Sequence, residues 1–262
     1  MFLSFVVPTY NRACLIQETL DSILNTQFEV EYEVIIVDDC SSDNTQEMVK
    51  NKYKDEFTEG LFQYYYLDEN IGVTGAKNYG AVIAKGKWVV FLDSDDLFIK
   101  ESKDAFLTEL KNNEKCGSVF FRCNTFDDKL LGKDFHKNEY YDLKKYLTVG
   151  FPGECLPVIK KDFAIKFPYE QKLRGFESVS YFRMLKSNVK ICISPIIARK
   201  YRTENEDRLS NFKGRLKRSK QMFEGYNMYM KEYQTIDYSI PFCLKLRLVK
   251  YFLMKLISKI IR

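Results

Sequence analysis

The sequence predicts an α/β protein: an open, mostly parallel, doubly wound twisted sheet with helices on both faces, followed by a C-terminal helical extension. Three observations carry this. Over the first 95 residues, short apolar runs that read as buried strands alternate with runs at helical spacing. Each strand–helix unit is long enough for the crossover that joins parallel neighbours. Residues 244–262 then show a helical apolar rhythm with six basic side chains and no acidic one.

Phe2–Val7 is a run rich in Val and Phe ended by Pro8, a buried strand. After Asn11, Ile16, Leu20, Ile23 and Leu24 recur at the spacing of an amphipathic helix. Glu33–Val37 is the second strand. It runs into Asp38-Asp39-Cys40-Ser41-Ser42-Asp43, where Ser42 or Asp43 caps a helix reaching about Lys52. Phe62–Leu67 is the third strand. Thr74 to Ala84 is a helix of small residues stopped by Gly86, and Trp88–Leu92 is a fourth strand ending in Asp93-Ser94-Asp95-Asp96. Beyond residue 96 the pattern loosens. Helices are expected at Glu101–Lys111, near Leu143–Leu147 and at Ser178–Leu185; strands at Ser118–Phe121, Lys190–Ile193 and Ile196–Arg202; and a turn at Phe151-Pro152-Gly153.

With 262 residues and 45% hydrophobic composition, the chain is too apolar for disorder and long enough for one large α/β domain. Its formal charge of +5 resides in the tail, because outside residues 244–262 there are 35 basic against 36 acidic side chains. A nucleic-acid binder carries its basic charge on its folded body, so nucleic acid is not an expected partner. Cysteines 14, 40, 116, 123, 155, 192 and 243 show no Cys-x-x-Cys spacing and lie mostly in apolar runs. They read as reduced, buried thiols of a cytosolic chain. The opening apolar run has no basic leader and meets a proline, so it reads as a strand and not a signal peptide. No apolar stretch reaches the ~18 uncharged residues of a membrane-spanning helix.

In doubly wound sheets, ligands sit beyond the carboxyl ends of the strands. Thr9-Tyr10-Asn11, Asp38-Asp39 and Asp93-Ser94-Asp95-Asp96 all follow strand ends, so they should share one rim. Three aspartates in four residues repel one another, and a hard divalent cation such as Mg²⁺ or Mn²⁺ removes that penalty. The alternative is a solvated turn with a helix cap. The turn Pro8–Arg12 has no GxGxxG, which disfavours a dehydrogenase-type fold, and the absence of GxxxxGK[ST] rules out a P-loop NTPase. Tyr10 instead offers an aromatic face to a base, and Asp39 an acceptor for a base or ribose. A nucleotide diphosphate held through a metal accounts for these features together.

Four motifs, Val7-Pro8-Thr9-Tyr10-Asn11-Arg12, Ile36 to Asp43, Asn70-Ile71-Gly72 through Ala76-Lys77-Asn78-Tyr79-Gly80, and Phe91 to Asp96, resemble in order and spacing the inverting family 2 glycosyltransferases of the Rossmann-like GT-A fold. The resemblance is close over residues 3–96 and loose over 150–205. It implies a UDP-sugar donor and a Mn²⁺ or Mg²⁺ ion. Pro8 and Tyr10 would border the uracil, with Asn11 in the same turn, and Asp39 would accept from the ring N–H. Lys77, where the family usually has arginine, would reach the base or phosphates; the alternative is a solvated lysine on a helix surface. Asp93 would face ribose and metal, Asp95 would ligate the metal, and Asp96 would support them. The implied division is a nucleotide-sugar-binding half (1–96), an acceptor-binding half of the same domain (97–210), and a helical extension (211–262).

Direct displacement at an anomeric carbon needs a carboxylate to take the acceptor's proton. The family often carries Glu-Asp before a helix in its second half; here the pair is Glu177-Ser178, which makes Glu177 the candidate base. A glutamate favoured by the helix dipole is the alternative, and Glu154 is the reserve base. Tyr201-Arg202 to Ser210 resembles a loop that closes over the donor, in which Arg208 would meet the pyrophosphate or else pair with Glu204 or Asp207. Thr203 stands where relatives often have histidine. His136, the only histidine, lies in a polar stretch and reads as solvent-facing.

In the tail, Val249, Leu253, Leu256, Ile257, Ile260 and Ile261 share one helical arc, opposite Lys245, Lys255, Lys259 and Arg262, while Lys250 intrudes on the arc and would have to snorkel. This reads as a helix lying on an anionic membrane surface, or packed on the core or another subunit. The expectation is an inverting, metal-dependent glycosyltransferase extending a glycan, such as a lipid-linked intermediate of surface polysaccharide, at the cytoplasmic face of the cell membrane. An oligomer is compatible with it. The alternative function is a non-catalytic nucleotide-sugar-binding or scaffold protein of the same fold.

Overall fold

The computed structural model describes residues 1–171, 173–203, 218–236, 238–239 and 241–260. In chain order the elements are β1 (Leu3–Thr9), α1 (Ile16–Leu24), β2 (Tyr32–Asp38), α2 (Thr45–Lys52), α3 (Lys54–Thr58), β3 (Phe62–Tyr66), α4 (Val73–Ile83), β4 (Trp88–Phe91), β5 (Leu97–Phe98), α5 (Lys103–Asn112), β6 (Ser118–Thr125), β7 (Glu139–Tyr141), α6 (Leu143–Val149), β8 (Cys155–Lys160), α7 (Lys161–Lys166), α8 (Ser178–Lys186), β9 (Ile191–Tyr201), α9 (Ser219–Gln234) and α10 (Phe242–Ile260).

The strands form one sheet in the order β3-β2-β1-β4-β8-β6-β9-β5, with β7 also on β9. From β3 to β4 every pair is parallel. β8 then runs antiparallel to both β4 and β6, and β6 pairs parallel with β9. The second half of the sheet is thus mixed. Alternation along the strands sends successive side chains to opposite faces. Leu3, Phe5 and Val7 pack under α1 and α5 with Leu20, Ile23 and Phe106. Val6, Ile35, Val37 and Phe91 pack under α4 and α8 with Ala76, Ala81, Met184 and Leu185. These are the two helical layers the sequence implied.

Several details differ from the sequence reading. β1 continues through Pro8, whose partner is Val37 of β2, past the last pairing of β1 with β4 at Val6. The position before α2 is Asn44, although the Asp43 carboxylate still accepts the Thr45 amide at 3.0 Å. The two expected strands after Lys190 are one long strand, β9. Of the seven cysteines, only Cys116, Cys123 and Cys192 are buried, while Cys14 and Cys243 are exposed. His136 is exposed, as expected.

The extension is held to the body by its own packing. Leu173, Phe176 and Val179 bury against Met222, Tyr226 and Tyr229 of α9. Arg183 and Lys186 of α8 both pair with Glu232 of α9, at 2.6 and 2.5 Å. α10 lies along α9, with Tyr226 and Tyr251 stacked at 5.4 Å.

Candidate active site

The carboxyl ends of β1, β2 and β4 open on one cavity of about 620 Å³, lined by Pro8 to Arg12, Asp39, Asn70, Gly72 to Thr74, Lys77, Asp93 to Asp95, Arg174, Glu177 and Gln221. The rim expected from the strand ends is therefore assembled. Its size suits a small-molecule ligand.

Two loops build the wall nearest β1 and β2. Asn11 sits at φ 50° and Cys40 at φ 67°, left-handed conformations that let both chains turn sharply off their strands. Asn11 Oδ1 accepts the Ser42 amide at 2.8 Å, and Ser41 Oγ accepts the Asn11 amide at 2.8 Å. Asn11 thus uses its side-chain oxygen to clamp one loop to the other. Tyr10 stays 48% exposed at the rim, its ring available to a planar ligand. Behind it, buried Asp38 accepts the Ser41 amide at 2.8 Å and the Tyr64 hydroxyl. Asp39 Oδ1 accepts the Ile71 amide at 2.7 Å and Oδ2 the Gly72 amide at 2.9 Å. These bonds bring the start of α4 to the end of β2. A carboxylate has about four acceptor positions, so they do not exhaust Asp39.

Lys77 projects from α4 into the cavity floor and is 7% exposed, which overturns the solvated-lysine alternative. Its Nζ lies 2.7 Å from Asp93 Oδ1. Burial favours neutral forms, but each partner outweighs it for the other. Asp93 is held below the usual carboxylate range by Lys77, with Arg199 and Arg174 adding to the effect. Lys77 is held above its usual range by Asp93 and Glu177. Close by, the hydroxyls of Thr9 and Thr74 are buried without a hydrogen-bond partner. Such orphaned groups in a cavity wall suit a polar ligand.

Asp93, Asp95 and Asp96 do not gather as a trio. Asp93 and Asp95 line the cavity, whereas Asp96 is 1% exposed and turned into the protein. Asp96 accepts the Arg202 amide at 2.9 Å and lies 3.3 Å from Arg199 Nη1. Burial, opposed by Arg199, and the nearby carboxylates push it up to about 7. Among the described residues no three His, Cys, Asp or Glu side chains form a cluster able to hold a metal. The donor set is two oxygen-bearing side chains, which fits Mg²⁺ or Mn²⁺ completing its shell with phosphate and water.

Glu177 faces the cavity from the start of α8. Burial raises its pKa above the ordinary value, Lys77 opposes this, and Asp93 and Glu154 reinforce it. The strap that carries it, between α7 and α8, is fixed from both sides. Below, Asn78 of α4 donates to the Tyr169 carbonyl at 2.7 Å and accepts the Tyr169 amide at 2.9 Å. Above, Gly225 of α9 lies so close that a Cβ there would meet the Phe176 ring at 2.4 Å. Ser178, the departure from the family's usual aspartate, accepts a hydrogen bond from the Tyr229 hydroxyl of α9. Glu154, the reserve base, is absent from the cavity lining and pairs with Arg199 at 2.8 Å. Arg208 lies outside the described residues. Thr74, Arg174 and Gln221 line the cavity but were not singled out by sequence reasoning. For Thr74 the signal was its place beside the Asn70-Ile71-Gly72 motif.

The fold places this chain among GT-A proteins. Staphylococcus aureus TarS 1–349 in complex with UDP-GlcNAc superposes with a TM-score of 0.68 at 17% identity, over 96% of this chain and 72% of that one. A Pyrobaculum calidifontis mannosyltransferase in complex with GDP-Man and Mn²⁺ gives 0.64 at 18% identity, over 98% and 74%. The chain belongs to glycosyl transferase family 2, whose family model matches residues 4–166. A Campylobacter jejuni GalNAc(5)-diNAcBac-PP-undecaprenol β-1,3-glucosyltransferase is 31% identical over 191 residues, 70% of this chain and 60% of that protein. The chain spans about 60% of the length of this and other curated relatives.

Proposed function

We propose that this chain transfers a sugar from a UDP-sugar to a hydroxyl of a glycan acceptor, with inversion at the anomeric carbon. The observation that carries the reading is one cavity bringing Tyr10 and Asp39 together with the Lys77–Asp93 pair, Asp95 and Glu177. The uracil lies against Pro8 and Tyr10, with Asp39 accepting from its ring. Residues 1–96 serve the donor, residues 97–210 the acceptor, and residues 211–262 extend the fold.

A divalent ion would be held by Asp95 and Asp93, and when bound it would draw negative charge off the departing diphosphate. Lys77 places a permanent positive charge beside the same acidic loop, and Arg208 is assigned to the pyrophosphate. Glu177 takes the proton from the acceptor hydroxyl as that oxygen attacks. Its pKa, raised by burial, makes its carboxylate a stronger base than a solvent-exposed glutamate. Asn78 and α9 hold the strap so that this carboxylate need not reorganise during the reaction.

The acceptor is a lipid-linked or polymeric glycan, and the chain works peripherally at the cytoplasmic face of a membrane. Relatives whose names specify undecaprenol-linked or poly(ribitol-phosphate) acceptors support that class. The test is release or transfer of sugar from a panel of nucleotide sugars with Mn²⁺, with and without EDTA. Transfer from a UDP-sugar that stops with EDTA is expected. Binding of UDP-sugars without turnover on any acceptor supports the non-catalytic alternative, which Ser178 and Thr203 keep open. Metal-independent transfer removes the role given to Asp95.

A further inference from the structure

α10 carries two apolar faces, and among the described residues only one of them is packed. Leu244, Tyr251 and Met254 of α10 are buried, at 8%, 7% and 8% exposure. Phe252 meets Phe223 of α9 at 5.6 Å at the edge of this packed face. Arg247 and Lys255 also turn toward α9, over the rings of Tyr226 and Phe223. At 100° per residue, Phe242, Leu246, Val249, Leu253, Leu256 and Ile257 fall on the other side within a single arc. All six are between 42% and 73% exposed. Exposed Lys245, expected opposite the arc, instead flanks it on one margin and exposed Lys250 on the other, because the exposed arc extends back to Phe242 and Leu246. Phe242–Ile260 contains no acidic residue.

We propose that this outer face of α10 is a docking surface for an anionic lipid bilayer. The apolar arc enters the interface between headgroups and acyl chains, while Lys245 and Lys250 extend their stems outward and set their ammonium groups among lipid phosphates. No helix among the described residues is long and apolar enough to cross a membrane, so the helix lies along the surface. Charge selects this occupant: a stripe edged by cations and free of carboxylates matches a negative surface and repels a second copy of itself. The inner face gives docking a structural consequence. α10 grips α9 through Phe223, two residues from Gln221 in the cavity wall, so the docked helix is joined to that wall through α9. The proposal rests on the transfer reading only for where the acceptor is met.

The experiment is co-sedimentation of the full chain with phosphatidylglycerol–phosphatidylcholine vesicles and with pure phosphatidylcholine vesicles, at low and high salt. Preferential binding to the anionic vesicles, weakened by salt, is expected. Lys245→Glu with Lys250→Glu should lower partitioning at least ~25-fold, from about fivefold per lysine lost near the surface. Val249→Glu with Leu253→Glu should abolish binding, with the melting temperature and UDP affinity of all variants unchanged. Sugar transfer to a soluble acceptor is measured alongside. Vesicle binding without transfer leaves this proposal standing and defeats the transfer reading. Wild-type protein that stays in the supernatant overturns the proposal, as does equal binding to both vesicles. A dimer broken by Leu253→Glu in the absence of lipid assigns the face to a second copy and also overturns it.

Discussion

Replacing Lys77 by methionine tests the electrostatic centre of the site. Lys77 Nζ and Asp93 Oδ1 are 2.7 Å apart, and their side chains are 9% and 33% exposed. At an effective dielectric of ~20 the bare attraction is roughly 6 kcal/mol, most of it offset by the cost of taking both charges out of water. Methionine keeps the packing of the stem but takes from Asp93 its paired cation, leaving only the weaker pull of Arg199 and Arg174. Breaking buried pairs in this way costs about 3–5 kcal/mol, and the lower end applies because a third of Asp93 remains in water. In a chain of this size, ~3 kcal/mol lowers the melting temperature by roughly 6–12 °C. Thermal unfolding is the assay, with Lys77→Arg as the charge-retaining control. Adding Asp93→Asn removes the stranded charge, so the double variant should recover most of the loss. A Lys77→Met melting temperature within about 1 °C of wild type, or no recovery in the double variant, would refute a pair that neutralises itself at the cavity floor.

Glu177→Gln should lower kcat by about 10²–10⁴ while UDP-sugar affinity stays within about twofold. Because the base acts deprotonated and its folded pKa is raised, wild-type kcat should fall as pH drops through a value above the ordinary ~4.3 of glutamate, and that limb should vanish in the variant. Asn78→Ala strips both bonds from Tyr169 and should destabilise by about 1–3 kcal/mol in denaturant titration, with kcat reduced more than KM as the strap loosens. Gly225→Ala drives a methyl into the Phe176 ring, so α9 must shift away; protection of the strap from hydrogen exchange should fall.

The parallel half of the fold was legible because its signals are local. β1 to β4 and their helices each show one clear period within about ten residues, and Asp39, Lys77, Asp93 and Glu177 follow recognisable strand ends and helix starts. The antiparallel half was harder to read. β8 is short and contains Pro157, tolerated opposite Phe120 of β6 past the last pairing of β8 with β4. β7 has three residues. The stripe of α9 (Met222, Tyr226, Tyr229 and Tyr233) is built mostly of tyrosines, whose polar hydroxyls blur the apolar signal although their rings pack on the body. Other features depend on partners far along the chain. Asn78 meets a strap 91 residues away, and Asp96 turns inward because Arg199 and Arg202 return beside it on β9 and just beyond. No local pattern announces either contact. The tail was legible as a helix with an apolar arc, but only its packing revealed a second apolar face beneath it.

A crystal structure of the full chain with UDP and Mn²⁺ tests the central claim most directly. Uracil between Tyr10 and Asp39, with an ion joining Asp95 to the diphosphate near Lys77, is the expected result. Nucleotide bound elsewhere, or bound in this cavity with Asp93 and Asp95 facing away and no ion between, would contradict the account.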